Sequence, residues 1–223
     1  MPSASRNSTS TSNPPPRPRP EIQSSSPLSY TQILIESLCV YCGSKGGLDP
    51  RHRAMARTFG EQIAARGLRL VYGGSHLGLM GELADAVLLQ GGEVTGIVPE
   101  LLVEKEAAHR GLKDLRIVGS MHERKALMAA LSDGFIALPG GFGTLDELCE
   151  MLTWGQIGSH EKPIVLFNYD GYFDHLLRFL EHAVVEGFLR DSHLKLLRVA
   201  TTLPEVFAAL SLAPAPSGEK WLT

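Results

Sequence analysis

Apolar positions along the chain follow two alternating patterns. Short apolar runs rich in β-branched residues end at glycine or proline, and apolar positions then recur at helical spacing. The short runs predict strands at 37–41, 68–72, 93–98, 115–118, 134–138, 163–167 and 196–199. The stretches between and after them predict six helices. One of these runs from the turn at Gly78 to residue 90, and the others lie at 51–66, 121–131, 145–157, 173–186 and 203–210.

Repeated strand–helix units of this length predict a single α/β domain, with a parallel sheet and helices on both faces. The strands are apolar along their length, as strands covered on both faces must be. Right-handed crossovers make this a Rossmann-like open sheet, in which ligands bind beyond the carboxyl ends of the strands. The residues that follow each strand are therefore where chemistry is expected.

The ends of the chain differ in composition from this body. Residues 1–30 hold 9 Ser and 7 Pro and carry a charge of +2. Such a segment has too little apolar surface to offset the entropy of ordering. We therefore expect a disordered tail at 1–30, a Rossmann-like domain at 31–212 and a short tail at 213–223. A basic, Ser-rich start is also typical of an organelle transit peptide, although the proline run disfavours the amphipathic helix of such peptides.

Charge and hydropathy exclude several classes of protein. The net charge of the 223 residues is −3, and the sequence pI is about 6.2. Because no basic stripe appears, no nucleic-acid partner is expected. A membrane partner is not expected either, because no apolar run reaches the roughly 18 residues of a membrane-spanning helix.

The three cysteines indicate a reducing compartment, because their number is odd and no secretory signal precedes them. We therefore expect a cytoplasmic protein. Cys39 and Cys42 have the C-x-x-C spacing of a redox pair, but Cys39 lies inside an apolar run that predicts a buried strand. We interpret the pair as small hydrophobic residues of that strand.

Glycine-containing turns follow three of the predicted strands, at 42–47, at Gly73-Gly74 and at 139–143. Glycine lets the backbone approach an anion, and the following helix offers free N–H groups and the positive end of its dipole. The three turns predict a nucleotide or sugar-phosphate site that includes Ser44, although tight turns also use glycine for geometry alone. None completes a P-loop or the G-x-G-x-x-G fingerprint, which disfavours a dinucleotide.

Thr144 and Glu147, after the third glycine turn, have both a structural and a functional interpretation. Their spacing predicts a capping box with Thr144 as the helix N-cap. If a phosphate occupies the glycine turn, Thr144 becomes its ligand and Glu147 lies about one ribose away.

A second capping box is predicted at Ser120 and Glu123, and Arg124 and Lys125 follow it. Cations are mildly unfavourable near a helix N-terminus. An acidic domain that binds an anion needs local positive charge, and we expect Arg124 and Lys125 to supply it; solvated helix charges are the alternative. Met121 shares a helical face with Arg124 and is expected at the rim of the site.

Residues 119–125 (Gly-Ser-Met-His-Glu-Arg-Lys) and 139–147 (Pro-Gly-Gly-Phe-Gly-Thr-Leu-Asp-Glu) together resemble the LOG ("Lonely guy") family. These are cytokinin riboside 5′-monophosphate phosphoribohydrolases, often mislabelled as lysine decarboxylases. The resemblance covers about residues 37–210. It implies a homodimer that cleaves the N-glycosidic bond of N6-modified AMP into free base and ribose 5-phosphate, with no cofactor and no metal. No lysine lies in a recognisable pyridoxal-phosphate setting, so nothing indicates decarboxylation.

The resemblance also implies roles for individual residues. Arg124 and Glu147 match the catalytic arginine and glutamate of the family. A carboxylate can stabilise the positive charge that develops on ribose, and a permanently protonated arginine can assist electrostatically. The residues that match its substrate contacts are Glu106, Lys125, Gly141, Phe142, Gly143, Thr144, Leu145, Asp146 and Thr153.

Three other activities remain open from the residues alone. A general AMP nucleosidase would differ from an enzyme for N6-modified AMP only in the shape of its substrate pocket. A nucleotide-binding module without chemistry would need neither Arg124 nor Glu147. An NAD-dependent oxidoreductase is disfavoured by the incomplete dinucleotide fingerprint.

Overall fold

A parallel sheet with apolar residues on both faces forms the centre of the fold. The structure, a computed structural model, describes residues 35–103 and 108–212. Its strands are Ser37–Tyr41 (β1), Arg69–Tyr72 (β2), Val94–Pro99 (β3), Asp114–Val118 (β4), Gly134–Ala137 (β5), Ile164–Phe167 (β6) and Leu197–Ala200 (β7). Its α-helices are Pro50–Ala65 (α1), Gly78–Leu89 (α2), Glu100–Val103 (α3), Met121–Ala130 (α4), Phe142–Gln156 (α5), Asp174–Val185 (α6), Asp191–Leu194 (α7) and Leu203–Ser211 (α8). The predicted tails at 1–30 and 213–223 lie outside the described residues.

Strand order places β1 at the centre of the sheet. The order is β4-β3-β2-β1-β5-β6-β7, and all neighbouring strands in the described residues are parallel. The chain builds outward from β1 to β4 and then returns to the other side of β1 with β5. The order therefore reverses between β1 and β5, which is where a ligand crevice opens in sheets of this kind.

Alternate residues of the strands enter two apolar layers. Leu38 and Val40 of β1 pack on the side that α1, α2 and α8 cover, and Cys39 and Tyr41 pack on the side of α4, α5 and α6. All four side chains are buried. Residues 38–41 of this central strand are thus buried and apolar on both faces, and the predicted α/β class with an open parallel sheet is confirmed.

The predicted strand and helix ends mostly differ from the observed ones by one residue, but α5 begins three residues earlier than predicted. Gly141 is its N-cap, so Thr144 lies inside the first turn and the predicted Thr144–Glu147 capping box is wrong. The reason is steric: Gly140 lacks a Cβ, which would lie only 2.0 Å from the Thr144 hydroxyl oxygen, so the chain can coil tightly already at Phe142.

At α4 the predicted N-cap is correct, and the return contact shifts by one residue. The Ser120 hydroxyl accepts a hydrogen bond from the backbone N–H of Glu123 at 3.1 Å. The Glu123 carboxylate accepts from the backbone N–H of Gly119 at 2.9 Å rather than from that of Ser120. Glu123 is therefore structural, as predicted.

In the part of the chain that the structure describes, no helix is long and apolar enough to cross a membrane.

Candidate active site

A cavity of about 660 Å³ opens above the carboxyl ends of β1, β2 and β5, beside the point where the strand order reverses. The turns after these strands form its walls, and each contains predicted glycines. Its volume falls in the range typical of small-molecule sites. The expectation that the three glycine turns meet at one edge of the sheet is therefore met.

Backbone contacts hold these turns together. The Gly43 N–H donates to the Pro139 carbonyl at 3.1 Å, and the Leu79 N–H donates to the Gly43 carbonyl at 3.0 Å. Gly78 adopts a φ of +60°, and a Cβ there would lie 2.3 Å from the carbonyl of Ser44. The turn that carries Ser44 is thus packed directly on the start of α2, and only glycine at position 78 permits this approach.

The first turn of α5 faces the cavity with its backbone. Gly141, Phe142, Gly143 and Thr144 all line it. Within the described residues no side chain caps this helix, and its first turn carries no acidic residue. Its first N–H groups and the positive end of its dipole therefore remain available to an anionic ligand.

Arg124 projects from α4 across the ends of β2 and β3. Arg124 is only 6% exposed, and it lines the cavity. Its Nε donates to the Ile97 carbonyl at 3.2 Å and its Nη2 to the Gly73 carbonyl at 3.4 Å. These two strand ends fix the plane of the guanidinium, and the interpretation of Arg124 as a solvated helix charge does not hold.

Glu147 lies in the second turn of α5, is buried, and also lines the cavity. Its Oε1 is 3.6 Å from Nη2 of Arg124. A buried carboxylate is thus held beside a buried cation at the wall of a cavity that the first turn of α5 also lines. This arrangement can stabilise a developing positive charge on a sugar whose phosphate lies at the helix N-terminus.

Lys125 is buried beside α5, and it does not line the cavity. Its Nζ lies 3.0 Å from Oδ2 of Asp146 and 3.2 Å from Oε2 of Glu150. Burial opposes the charged form, but the two carboxylates outweigh it and raise the pKa of Lys125. Both cations that are expected to supply positive charge for an anion are thus paired with carboxylates of α5, and of the two Arg124 lines the cavity.

The remaining predicted residues divide by position. Ser44 and Gly73 line the cavity. Thr153 is exposed three turns along α5, where its hydroxyl donates to the Cys149 carbonyl at 2.7 Å. Glu106 lies outside the described residues. Predicted residues that do not line the cavity are Gly74, Met121, Lys125, Leu145, Asp146 and Thr153.

Several lining residues were not predicted. Tyr172 and His52 line the cavity, with their rings 5.8 Å apart and edge to face. The Tyr172 hydroxyl donates to the Gly140 carbonyl at 2.8 Å and so braces the glycine turn at 139–143. Tyr172 follows β6, so the rule that ligands bind beyond strand ends could have found it. His52 lies in α1, and no sequence signal indicates that it faces the cavity.

Cys39 lies in β1, and Cys42 follows the end of this strand at the wall of the cavity. Cys39 and Cys42 are buried and unbonded to another cysteine. Burial raises the pKa of the Cys39 thiol to about 12 and raises that of Cys42 as well. Because the reactive form is the thiolate, these values support the interpretation of the pair as hydrophobic residues of the sheet.

Comparisons with known proteins place these residues in a family. The family model described as "Possible lysine decarboxylase" matches residues 80–210. A probable cytokinin riboside 5′-monophosphate phosphoribohydrolase of Oryza sativa subsp. japonica is 48% identical over 169 residues, which cover 76% of this chain and 74% of the relative. The cytokinin riboside 5′-monophosphate phosphoribohydrolase of Rhodococcoides fascians is 51% identical over 155 residues, covering 69% of this chain and 78% of the relative.

Among solved structures, the Moco carrier protein of Chlamydomonas reinhardtii has a similar fold. The TM-score is 0.59 at 24% identity, over 78% of this chain and 93% of that chain. At this level of identity the similarity shows a shared Rossmann-like fold.

Proposed function

The chain belongs to the LOG family of cytokinin riboside 5′-monophosphate phosphoribohydrolases, and we propose that it hydrolyses the N-glycosidic bond of N6-modified adenosine 5′-monophosphates. The products are the free base, an active cytokinin, and ribose 5-phosphate. The substrate is a small nucleotide. The side chains of the cavity carry out the reaction without a cofactor.

The observation that carries the proposal is the Arg124–Glu147 pair beside the uncapped start of α5. A 5′-phosphate at the N–H groups of Gly141–Gly143 leaves the ribose over the next turn of the helix. Glu147 follows Gly143 by four residues, which is about 6 Å along the axis. The carboxylate therefore lies at the height of the ribose, where the phosphate contact orients the scissile bond.

Each side chain then has a defined part in the reaction. As the bond to the base breaks, positive charge develops on the ribose ring, and the Glu147 carboxylate stabilises it and orients the attacking water. The departing base gains electron density. Arg124 is permanently protonated and hence a poor proton donor, so it stabilises that negative charge electrostatically.

Substrate choice is tested by base release from a panel of nucleotides. We expect release from N6-isopentenyl-AMP without added metal, slower release from AMP, and little from either unphosphorylated riboside. Equal rates with AMP would favour a general AMP nucleosidase. Indifference to the 5′-phosphate would contradict the helix N-terminus as its binding site. Tight nucleotide binding without any release would favour a binding module.

We also propose a homodimer that forms through the apolar face of α6 and the residues that follow it. Leu176, Leu177 and Leu180 of α6 are only partly buried, and Phe179 beside them is exposed. Phe188, just beyond α6, is 90% exposed. An apolar face of this kind is typical of an interface between subunits.

The dimer is tested by light scattering after gel filtration. We expect twice the chain mass of 24.2 kDa, and dissociation when Phe188 is replaced by Glu. Leu89→Glu is the matched control, because Leu89 is 83% exposed on α2 at the other face of the sheet. A wild-type monomer, or equal dissociation by both variants, would contradict this interface.

We further propose that the protein is cytoplasmic and that residues 1–30 are a tail outside the catalytic domain at 31–212. The odd number of cysteines, all three without a disulfide in the structure, supports a reducing compartment. A fluorescent fusion of the full chain should distribute through the cytoplasm. Concentration of the fusion in an organelle, abolished by deleting residues 1–30, would instead identify a transit peptide.

A further inference from the structure

Lys45 is a cation at the cavity to which the proposed reaction gives no part. It follows Ser44 on the turn after β1, is exposed, and lines the cavity. Among the described residues, no carboxylate lies within ion-pair distance of its ammonium group. Lys45 thus differs from Arg124, which also lines the cavity but lies 3.6 Å from Glu147.

The charged residues that follow this turn are paired with other groups. Asp49 also lines the cavity, and its Oδ2 is 2.6 Å from Nη2 of Arg51. Nη1 of Arg53 is 3.2 Å from Oε1 of Glu82. The carboxylate nearest in sequence therefore has its own cation, and the charge of Lys45 is available to a ligand in the cavity.

The backbone of Lys45 is held close to the start of α5. Its carbonyl oxygen lies 2.9 Å, and Cα of Gly140 lies 3.5 Å, from the place that a Cβ on Gly43 would occupy. On the other side, a Cβ on Gly78 would lie 2.6 Å from the backbone nitrogen of Lys45. Because Gly140 directly precedes Gly141, the N-cap of α5, the lysine side chain starts beside the first N–H groups of that helix.

A phosphate at these N–H groups needs more positive charge than the helix supplies. The N-terminus of a helix is equivalent to only about half a positive charge. A lysine ammonium is a compact charge with three donors on a flexible stem, and lysine is a common phosphate ligand. We infer that Lys45 binds the 5′-phosphate of the nucleotide, together with the N–H groups at the start of α5. The inference rests on the proposed function, which places the phosphate there.

This contact should act on substrate binding rather than on the chemical step. The bond that breaks joins the ribose to the base, so the charge of the phosphate does not change during the reaction. The contact with Lys45 is therefore equally strong in the ground state and in the transition state. Loss of such a contact raises KM and leaves kcat unchanged.

The test is calorimetric binding of ribose 5-phosphate and of adenosine to Lys45→Met, which removes the charge and keeps an unbranched stem. We expect Kd for ribose 5-phosphate to rise about tenfold, as for loss of one hydrogen bond to a charged group, while Kd for adenosine is unchanged. Lys45→Arg keeps the charge and should restore most of the affinity for ribose 5-phosphate.

Lys113→Met is the matched control. Lys113 is exposed and directly precedes β4, so it lies at the amino edge of the sheet, away from the cavity. This variant removes the same charge from the protein and should bind both ligands as the wild type does. An unchanged affinity of Lys45→Met for ribose 5-phosphate would overturn the inference. An equal loss for adenosine, or an equal loss in Lys113→Met, would do the same.

Kinetics with N6-isopentenyl-AMP add a second readout. Lys45→Met should raise KM about tenfold and leave kcat within about threefold of the wild-type value. A fall in kcat with an unchanged KM would contradict a contact with the phosphate. If the wild-type protein released no base, the proposed hydrolysis would fail, while the titration with ribose 5-phosphate would still decide the role of Lys45.

Salt dependence covers the case in which Lys45→Met does not fold, because it is measured on the wild-type protein. Added salt screens the attraction between an exposed ammonium and a phosphate. Binding of ribose 5-phosphate should therefore weaken with salt, and binding of adenosine should not. Lys45→Gln, which keeps a donor without the charge, should be less sensitive to salt than the wild type. A wild-type affinity for ribose 5-phosphate that does not change with salt would overturn the inference.

Discussion

Replacing Gly73 by Ala would displace the guanidinium of Arg124 while leaving Arg124 itself in the sequence. A Cβ on Gly73 would lie 2.1 Å from Nη2 of Arg124 and 3.0 Å from Sδ of Met80. The backbone of Gly73 does not adopt a positive φ, so alanine is compatible with its conformation. The clash is therefore with the guanidinium, a flexible group that can move, rather than with a fixed backbone.

The size of the effect follows from the required movement. Atoms that are not bonded to each other pack at about 3.5 Å, so the guanidinium must shift by roughly 1 Å or more. Such a shift disturbs its contacts with the Ile97 carbonyl at 3.2 Å and with Glu147 at 3.6 Å. A misplacement of about 1 Å in a catalytic group can cost roughly 100-fold, which is about 2.7 kcal/mol of transition-state stabilisation.

The assay is steady-state base release from N6-isopentenyl-AMP, with the melting temperature measured alongside. We expect kcat/KM to fall about 100-fold for Gly73→Ala while the melting temperature changes by no more than about 4 °C. Gly155→Ala is the matched control. Its Cβ would meet His160 at an ordinary 3.5 Å, so activity should be kept and the last turn of α5 modestly stabilised. An unchanged kcat/KM in Gly73→Ala would refute the placement of Arg124.

Two further predictions concern groups that have no part in the proposed reaction. In the folded protein at pH 8 only the exposed Cys149 should react with a thiol reagent, because Cys39 and Cys42 are buried with raised pKa values; a second reactive thiol before denaturation would contradict this. Burial lowers the pKa of His160, whose Nδ1 accepts from the Lys162 N–H at 3.1 Å. Since the unfolded chain takes up this proton near pH 6.5 and the folded chain does not, the free energy of unfolding in urea should fall as the pH drops below about 6.5. His160→Gln should weaken that dependence, and an NMR titration of His160 at or above pH 6.5 would exclude this explanation.

Most of the fold was predictable because strands buried on both faces have a simple sequence pattern. The run 37–41 is buried at every position, and its strand has the predicted bounds. The helices α3 and α7 were missed because four residues are too few to show helical periodicity. The start of α5 was misplaced because Thr144 with Glu147 matches a capping box, and this pattern does not reveal that the chain packs Thr144 closely against Gly140.

The candidate site was predictable where it follows strand ends and less so where it depends on helix packing. The glycine turns and the Arg124–Glu147 pair lie at the predicted edge of the sheet. The pairing of Lys125 with α5 could not be predicted, because it depends on the angle and distance at which α4 and α5 pack against each other. Tyr172 was overlooked although its position after β6 obeys the rule that located the other turns.

Single-turnover base release by Glu147→Gln shows whether this carboxylate stabilises the transition state. This variant keeps the shape of the side chain and removes its charge beside Arg124. We expect a rate at least about 100-fold below wild type, because a charge that stabilises the transition state is lost, with AMP affinity within a few-fold of wild type. A variant that releases base at the wild-type rate would contradict the assignment of Glu147 and with it the proposed mechanism.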